Sequence, residues 1–314
     1  MASTQLHQKI SVGISSCLLG YKVRFDANHK EQRFITEKLA QRFDFVPVCP
    51  EMAIGLGVPR TPIHLIGNRH QQQAVNIKDE SIDVTAKLVE YGKHQAKQLN
   101  FISGYIFKKG SPSCGVFNVK IYTGKNQVLH SGTGLYAQQI MNANPLLPVE
   151  EEGRLNDEEL RHNFLQRVEV YHRWQQLLAN GLSKKALVEF HTRHKFMLLA
   201  HCEVSYRALG PLIAQLGKTD LQACADQYIA ILMTGLQKPA TRGKHTNVLQ
   251  HLVGYFKRDL DNQDKSELSH LLDGYRAGEV PRVVLITMLK HYLRKFPSSY
   301  VHQQYYLSHC YADL

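Results

Sequence analysis

Long apolar runs and closely spaced cysteine pairs are both missing from this 314-residue sequence. No stretch reaches eighteen consecutive apolar residues, which excludes an ordinary transmembrane helix, so we expect no membrane partner. The first residues, MASTQLHQKI, lack the basic and then apolar regions of a secretion signal, and we expect a cytoplasmic protein. No C-x-x-C motif occurs, which argues against a zinc ribbon and a ferredoxin-type cysteine run.

Cysteine and acidic residues are both scarce for a chain of this size. Six cysteines do not make a disulfide scaffold for 314 residues, and in a reducing compartment their thiols are free for metal binding or catalysis. The sequence has 38 Lys and Arg residues against 27 Asp and Glu, which gives a net charge of +11. This balance favours an anionic partner, although a high pI also occurs in soluble proteins that have none.

The pattern of apolar residues changes along the chain, whose length allows two domains. The first half alternates short apolar strands (9–16, 45–48, 101–107) with helical stretches (35–43, 81–99), which predicts an α/β domain with a largely parallel sheet. The second half has apolar residues at helical spacing, including a helix that Pro281 opens. We therefore predict an α/β domain at 1–148, a Pro- and Glu-rich linker at 149–157 and an all-α helical domain at 158–314.

Cys17, Cys49 and Cys114 each follow a predicted strand. Because the carboxyl ends of parallel strands meet at one edge of a sheet, three cysteines that are distant in sequence can converge there. Their flanking segments, SSCLLGYKVRFD, VPVCPEMAIGLGVPRTP and KKGSPSCG, are rich in Gly, Pro and small polar residues. Such segments form tight loops whose backbone N–H groups can face an anionic centre. Spacing alone leaves open that these are three unrelated buried thiols.

These three segments resemble the thiouracil desulfidase family over roughly residues 8–140. The helical half, through LVEFHTRHKFMLLAH and KPATRGKHTNVLQHLVGYFKRDL, resembles the domain fused to it in a two-domain branch that includes bacterial tRNA 4-thiouridine desulfidases. The resemblance implies a [4Fe-4S] cluster held by Cys17, Cys49 and Cys114, with one iron not bound by the protein. It also implies two catalytic residues, Glu51 and Ser111.

The activity implied by this resemblance is removal of sulfur from 4-thiouridine in tRNA, giving uridine and sulfide by hydrolysis without net redox change. Glu51 would activate water as a general base, and Ser111 would donate a hydrogen bond or pass on a proton. The residues alone favour a solvated carboxylate at a helix start for Glu51, and they leave open that Ser111 is a turn residue. Two alternatives stay open: desulfuration of free thiouracil or thiouridine nucleotides, and a non-catalytic iron–sulfur sensor that binds nucleic acid.

Basic residues in segments with few or no acidic neighbours are the expected contacts with tRNA phosphates, whose affinity depends on salt and little on sequence. We expect no obligate protein partner. Three histidines, His191, His194 and His201, share one face of a helix, where a polar face or a phosphate contact is favoured over a second metal site. The basic residues assigned to tRNA are Arg60, Lys108 and Lys109 in the first half and Arg242, Lys244, Lys257, Arg258, Arg282, Lys290 and Arg294 in the second.

Overall fold

A computed structural model describes residues 9–68, 71–122 and 127–308. The chain divides into two compact units, Met1–Arg173 and Trp174–Leu314. Strands and helices build the first unit, and the described part of the second contains only helices. Over the described ranges, no helix combines the length and the apolar character needed to cross a membrane.

The described residues of the first unit form two four-stranded sheets. The first has the strand order β2-β1-β5-β8, and the second has the order β4-β3-β6-β7. The strands are β1 (Ile10–Ser15), β2 (Phe43–Val48), β3 (Ile63–Gly67), β4 (Gln72–Asn76), β5 (Tyr105–Phe107), β6 (Val119–Tyr122), β7 (Val128–Gly132) and β8 (Val149–Glu151).

All neighbouring strands of the first sheet run parallel, as the strand–helix alternation predicts. Its central strand β1 is apolar, with Val12 and Ile14 fully buried. Gly13 is required between them because a Cβ there would overlap the ring of Tyr105 on β5, at 2.4 Å. Tight pairing of β1 with β5 therefore depends on a residue that has no side chain.

The segment predicted as a linker contributes the fourth strand of this sheet. In β8, Val149 pairs with Tyr105 and Glu151 pairs with Phe107, both in parallel. The linker prediction was wrong for these residues because their glutamates, which look solvent-exposed in sequence, are buried and find hydrogen-bond donors in another loop.

The second sheet is mixed, and the sequence did not predict it. β3 runs antiparallel to β4 and parallel to β6, and β6 runs antiparallel to β7. Ile63, Leu65 and Ile121 pack on its inner face against Leu88 and Leu135 of neighbouring helices. The polar segment that forms β4 reads QQAVN and gives little sign of a strand in sequence.

One predicted helix of the first unit is replaced by tighter turns. The segment predicted as a helix at 35–43 forms a π-helical turn, Phe34–Lys38, and a 3-10 turn, Leu39–Gln41, before Phe43 begins β2. The helix predicted at 81–99 is confirmed over Thr85–Gln98. The helices that begin in this unit are α1 (Pro50–Ala53), α2 (Thr85–Gln98), α3 (Leu135–Ala143) and α4 (Glu158–Ala179).

An all-helical second unit is confirmed over the described residues. Pro281 is the N-cap residue of α10 (Arg282–Lys295). Leu285, Leu289 and Tyr292 of that helix are buried in a core that also holds Leu249 of α8 (Arg242–Gly254). These residues follow the predicted apolar stripes. The remaining helices are α5 (Lys184–His201), α6 (Glu203–Ala214), α7 (Leu221–Gly235), α8 (Arg242–Gly254), α9 (Asn262–Ala277), α10 (Arg282–Lys295), α11 (Ser299–His302) and α12 (Tyr305–Ser308).

Candidate active site

Three cysteines line one pocket at the carboxyl ends of β2, β1 and β5. Cys17 lies in a 3-10 turn directly after β1, and Cys49 follows β2 as the N-cap residue of α1. Cys114 lies in the loop after β5, on the other side of β1. The three strands are neighbours in one parallel sheet, so their ends bring the thiols to a cavity of about 380 Å³. The structure therefore brings the three cysteines together, as their placement after the strands predicts.

Burial raises the pKa of all three thiols. The pKa of Cys17 is raised to about 11 by burial and next by the neighbouring Cys49, while Lys108 acts in the opposite direction. Burial is also the largest cause of the raised pKa of Cys49 and of Cys114. Without a bound cation, these thiols are protonated at neutral pH, so they become thiolates only when a metal replaces their protons.

Three thiols around one pocket are a donor set that fits an iron–sulfur cluster. Across the described residues, no three His, Cys, Asp or Glu side chains are placed to hold one ion. In a cluster each cysteine binds a different iron, so the sulfurs surround a volume instead of meeting at one point. Cys17, Cys49 and Cys114 line one pocket, which Lys108 also lines.

Glu51 lies in the first turn of α1 with its carboxylate held from two sides. Arg60 donates to Oε2 through Nη2 at 2.6 Å and through Nε at 3.1 Å. The hydroxyl of Ser113 donates to Oε1 at 2.9 Å. The Glu51 side chain is only 15% exposed, and Glu51 lines the same pocket as the cysteines. The alternative in which Glu51 is an ordinary solvated carboxylate is therefore wrong.

The two serines of the third cysteine loop have different hydrogen bonds. Ser111 Oγ accepts the backbone N–H groups of Ser113 and Cys114, at 3.2 and 3.1 Å. Ser111 therefore makes the turn that positions Cys114, and its own hydroxyl proton is left for another acceptor in the pocket that it lines. Ser113 is fully buried and donates to Glu51. The sequence does not indicate this bond, because it joins two loops that are distant in the chain.

Two buried glutamates from the end of β8 hold the loop that carries Cys114. Glu152 accepts from Lys108 Nζ at 2.5 Å and from the backbone N–H of Lys109 at 2.6 Å. Glu151 accepts the backbone N–H groups of Val116 and Phe117, at 2.8 and 3.1 Å. The loop is therefore fastened at both ends by neighbouring carboxylates. Sequence reasoning missed these residues because it placed them in the linker.

Two of the three basic residues assigned to tRNA in this unit have other partners. Arg60 is 7% exposed in its side chain and is bound to Glu51, so it does not fit the predicted contact with tRNA phosphates. Lys108 is paired with Glu152 and 17% exposed. Lys109 is exposed and lines the pocket, a place compatible with the predicted contact.

The basic residues assigned to tRNA in the second unit are mostly at the surface. Arg282 is the exception: it is half-buried and its Nη1 lies 2.5 Å from Nε2 of His245, which favours a structural role. Lys244 is exposed, although its Nζ also donates to the backbone oxygen of His201. The other assigned residues are exposed: Arg242, Lys257, Arg258, Lys290 and Arg294.

The histidines of α5 do not form a second metal site among the described residues. Nδ1 of His194 lies 2.7 Å from the backbone oxygen of Phe190, and Nδ1 of His201 lies 2.7 Å from that of Lys238. Both side chains are buried, and burial lowers the pKa of His191 to about 4. These histidines therefore belong to the packing of the helical unit and do not form the expected polar face.

Two stretches of the chain match known families. Residues 12–152 match 2-thiouracil desulfurase, and residues 195–310 match DUF1722, a protein family of unknown function. The chain therefore belongs to the 2-thiouracil desulfurase family and joins this domain to a DUF1722 domain. The predicted class, a desulfidase enzyme with an α/β half and a helical half, is confirmed.

Individual relatives resemble one half of the chain's length. The uncharacterized protein YbgA of Escherichia coli (strain K12) is 33% identical over 153 residues, which are 48% of this chain and 90% of that protein. The uncharacterized protein YbbK of Bacillus subtilis (strain 168) is 32% identical over 158 residues, 46% of this chain and 97% of that protein. A solved structure named as the [4Fe-4S]-dependent thiouracil desulfidase TudS is 28% identical and covers 49% of this chain and 97% of its own, with a TM-score of 0.39.

Proposed function

We propose that this enzyme removes the sulfur of 4-thiouridine in tRNA, giving uridine and sulfide, with a [4Fe-4S] cluster held by Cys17, Cys49 and Cys114. The observation that carries the proposal is the meeting of three thiols and the carboxylate of Glu51 in one pocket. Thiolates are the protein ligands of iron–sulfur clusters, and the family description names a desulfurase. When bound with one iron free of protein ligands, the cluster supplies a Lewis acid that suits the soft sulfur of a thiocarbonyl.

Glu51 is assigned as the general base. It takes a proton from water, and the water oxygen forms a bond to the ring carbon that carries the sulfur. The carbon–sulfur bond then breaks, and the sulfur leaves as sulfide while the carbon keeps an oxygen. Carbon has the same oxidation state in the thiocarbonyl and the carbonyl, so the reaction needs no electron donor or acceptor.

Ser111 is assigned as a hydrogen-bond donor to the reacting base. Its oxygen already accepts two backbone N–H groups, so the hydroxyl proton is its free bonding group. Apolar side chains of Val23, Phe25 and Ile63 line the same pocket and suit the faces of a pyrimidine. A cavity of about 380 Å³ is of the size that takes a small ligand.

The helical unit is assigned the binding of tRNA. Residues 241–258 contain no acidic side chain, and Arg242, Lys257 and Arg258 there are exposed. Turning a base out of a folded RNA costs on the order of a few kcal/mol, which additional phosphate contacts can offset. Binding of the RNA backbone by the helical unit would explain why the two domains are joined in one chain.

A free thiouracil or thiouridine nucleotide is the second candidate substrate. The family description names 2-thiouracil, and the site pocket lies wholly within the first unit. If the substrate is a free nucleotide, the helical unit has a function other than tRNA binding.

The test is an anaerobic desulfuration assay on the full chain. The protein is reconstituted with iron and sulfide and incubated with bulk bacterial tRNA or with 4-thiouridine monophosphate, and nucleosides are then analysed by mass spectrometry. We expect 4-thiouridine in tRNA to become uridine, and Cys114→Ala to abolish the conversion. Cys224→Ala, a buried cysteine of α7, is the matched control and should retain it.

Each other outcome of this assay favours a different function. Conversion of the nucleotide but not of tRNA assigns the enzyme to small-molecule substrates. No conversion of either substrate by a protein with full iron content would make a sensor the function to pursue.

A further inference from the structure

Arg60 connects Glu51 to two loops that wall the active-site pocket. Besides its two bonds to Glu51 Oε2, it donates through Nη1 to the backbone oxygen of Gly57 at 2.7 Å and through Nη2 to that of Val23 at 3.1 Å. Val23 follows the Cys17 turn, and its oxygen lies 3.9 Å from Cys49 Sγ. The guanidinium is nearly buried, so its direction is fixed by these bonds and not by solvent.

Ser113 holds the other carboxylate oxygen. Its side chain is fully buried, and its backbone N–H is bound to Ser111 Oγ. The hydroxyl therefore reaches Glu51 Oε1 from a fixed position, at 2.9 Å. With one donor side chain on each oxygen, the carboxylate cannot rotate without breaking a bond on both sides.

We infer that Arg60 and Ser113 are positioning residues that orient Glu51 for its role as a base, an inference that rests on the function proposed above. Arg60 occupies Oε2, so Oε1 is the oxygen that meets water. Ser113 uses one lone pair of Oε1 and leaves the other for the proton that water gives up. Neither residue touches the substrate in this scheme, and both act through Glu51.

Kinetics of Ser113→Ala and Arg60→Met test this inference. Both variants should keep iron content and visible absorption, and kcat for 4-thiouridine monophosphate should fall on the order of 10- to 100-fold with KM little changed. Guanidinium ion should restore part of the rate of Arg60→Ala. Arg173→Met is the matched control, because it removes another partly buried Arg–Glu pair, with Glu169, whose residues do not line the pocket.

A second measurement does not depend on turnover. In cluster-free protein, the losses in unfolding free energy for Arg60→Met and Glu51→Gln should be less than additive in the double variant, because each removes the charge pair between the same two side chains. Unchanged kcat in both Ser113→Ala and Arg60→Met would overturn the inference, and so would an additive cycle. If Arg60→Met loses iron, Arg60 is not assigned as a positioning residue. The kcat of Ser113→Ala then tests the role of Ser113 alone. Absence of turnover in the unmodified enzyme would instead contradict the proposed function, and the unfolding cycle would still test the contact.

Discussion

Glu51 differs from the surface carboxylates of the chain by its anchoring on both oxygens. We expect Glu51→Gln to abolish turnover while iron content stays unchanged, since an amide has nearly the same shape but cannot accept a proton as a base. Loss of a general base costs on the order of 10²- to 10⁴-fold in rate. The rate of uridine formation and the iron content per chain are the measurements. Glu37→Gln, at an exposed position, is the control, and turnover retained by Glu51→Gln would remove Glu51 from the reaction.

The thiols differ enough in environment to be told apart by chemical modification. Cys202 is the N-cap residue of α6, and a hydrogen bond with Ser205 lowers its pKa, whereas burial raises that of Cys17 to about 11. Because the thiolate is the nucleophile, a lower pKa gives more reactive thiolate at pH 8, and a raised pKa gives less.

In cluster-free protein we therefore expect iodoacetamide to label Cys202 before Cys17 at pH 8. The rate at Cys17 should keep rising toward pH 11, after that at Cys202 has levelled off, as followed by peptide mass spectrometry. Cys224, whose pKa burial also raises, is the internal comparison. A plateau at the same pH for Cys17 and Cys202 would contradict the assigned environments.

At the scale of elements, the end of β8 holds the Cys114 loop in place through the carboxylates of Glu151 and Glu152. We expect Glu152→Ala to lower the free energy of unfolding by about 3 kcal/mol, because it leaves the Lys108 ammonium, 17% exposed, without its acid. Chemical denaturation of the cluster-free protein measures this loss. The exposed Glu159→Ala of α4 is the control, and equal stability of the two variants would show that the loop is held by other contacts.

The elements that the sequence predicts best are those whose burial follows from the apolar character of their own residues. The strands before Cys17 and Cys49 are apolar, and the Gly- and Pro-rich loops after them mark where they end, so the convergence of the thiols could be derived. Pro281 likewise marks the start of α10. In each case the signal is local in the chain.

Other elements depend on partners that only the fold supplies. Glu151 and Glu152 are buried because backbone N–H groups and Lys108 from a distant loop satisfy them, and nothing adjacent in sequence announces those donors. The partnership of Ser113 with Glu51 joins two loops in the same way. The segment at 35–43 has helical spacing, but Phe43 joins β2, which leaves room only for tight turns before the strand.

At the scale of the whole molecule, the net charge of +11 predicts that salt affects tRNA binding more than turnover of a free nucleotide. On the proposed function, the affinity for tRNA should fall roughly 10³-fold or more between about 50 and 200 mM salt, while turnover of 4-thiouridine monophosphate changes much less. Filter binding and the desulfuration assay measure the two quantities.

Charge reversal separates specific basic residues from net charge. Arg258→Glu should weaken tRNA binding and reduce its salt dependence. Lys265→Glu makes the same change in net charge on α9, a helix that also carries Asp264 and Glu267, and should have a smaller effect. Equal effects of the two variants would mean that tRNA responds only to the overall charge.

The order of the strands has a consequence for how a cell makes this protein. A ribosome delivers Cys17 and Cys49 long before Cys114, and the carboxylates that fasten the Cys114 loop are synthesised later still. Until Cys114 emerges, the nascent chain lacks one of the three thiols that line the pocket. On the proposed function, the cluster can therefore be completed only after Cys114 has been translated.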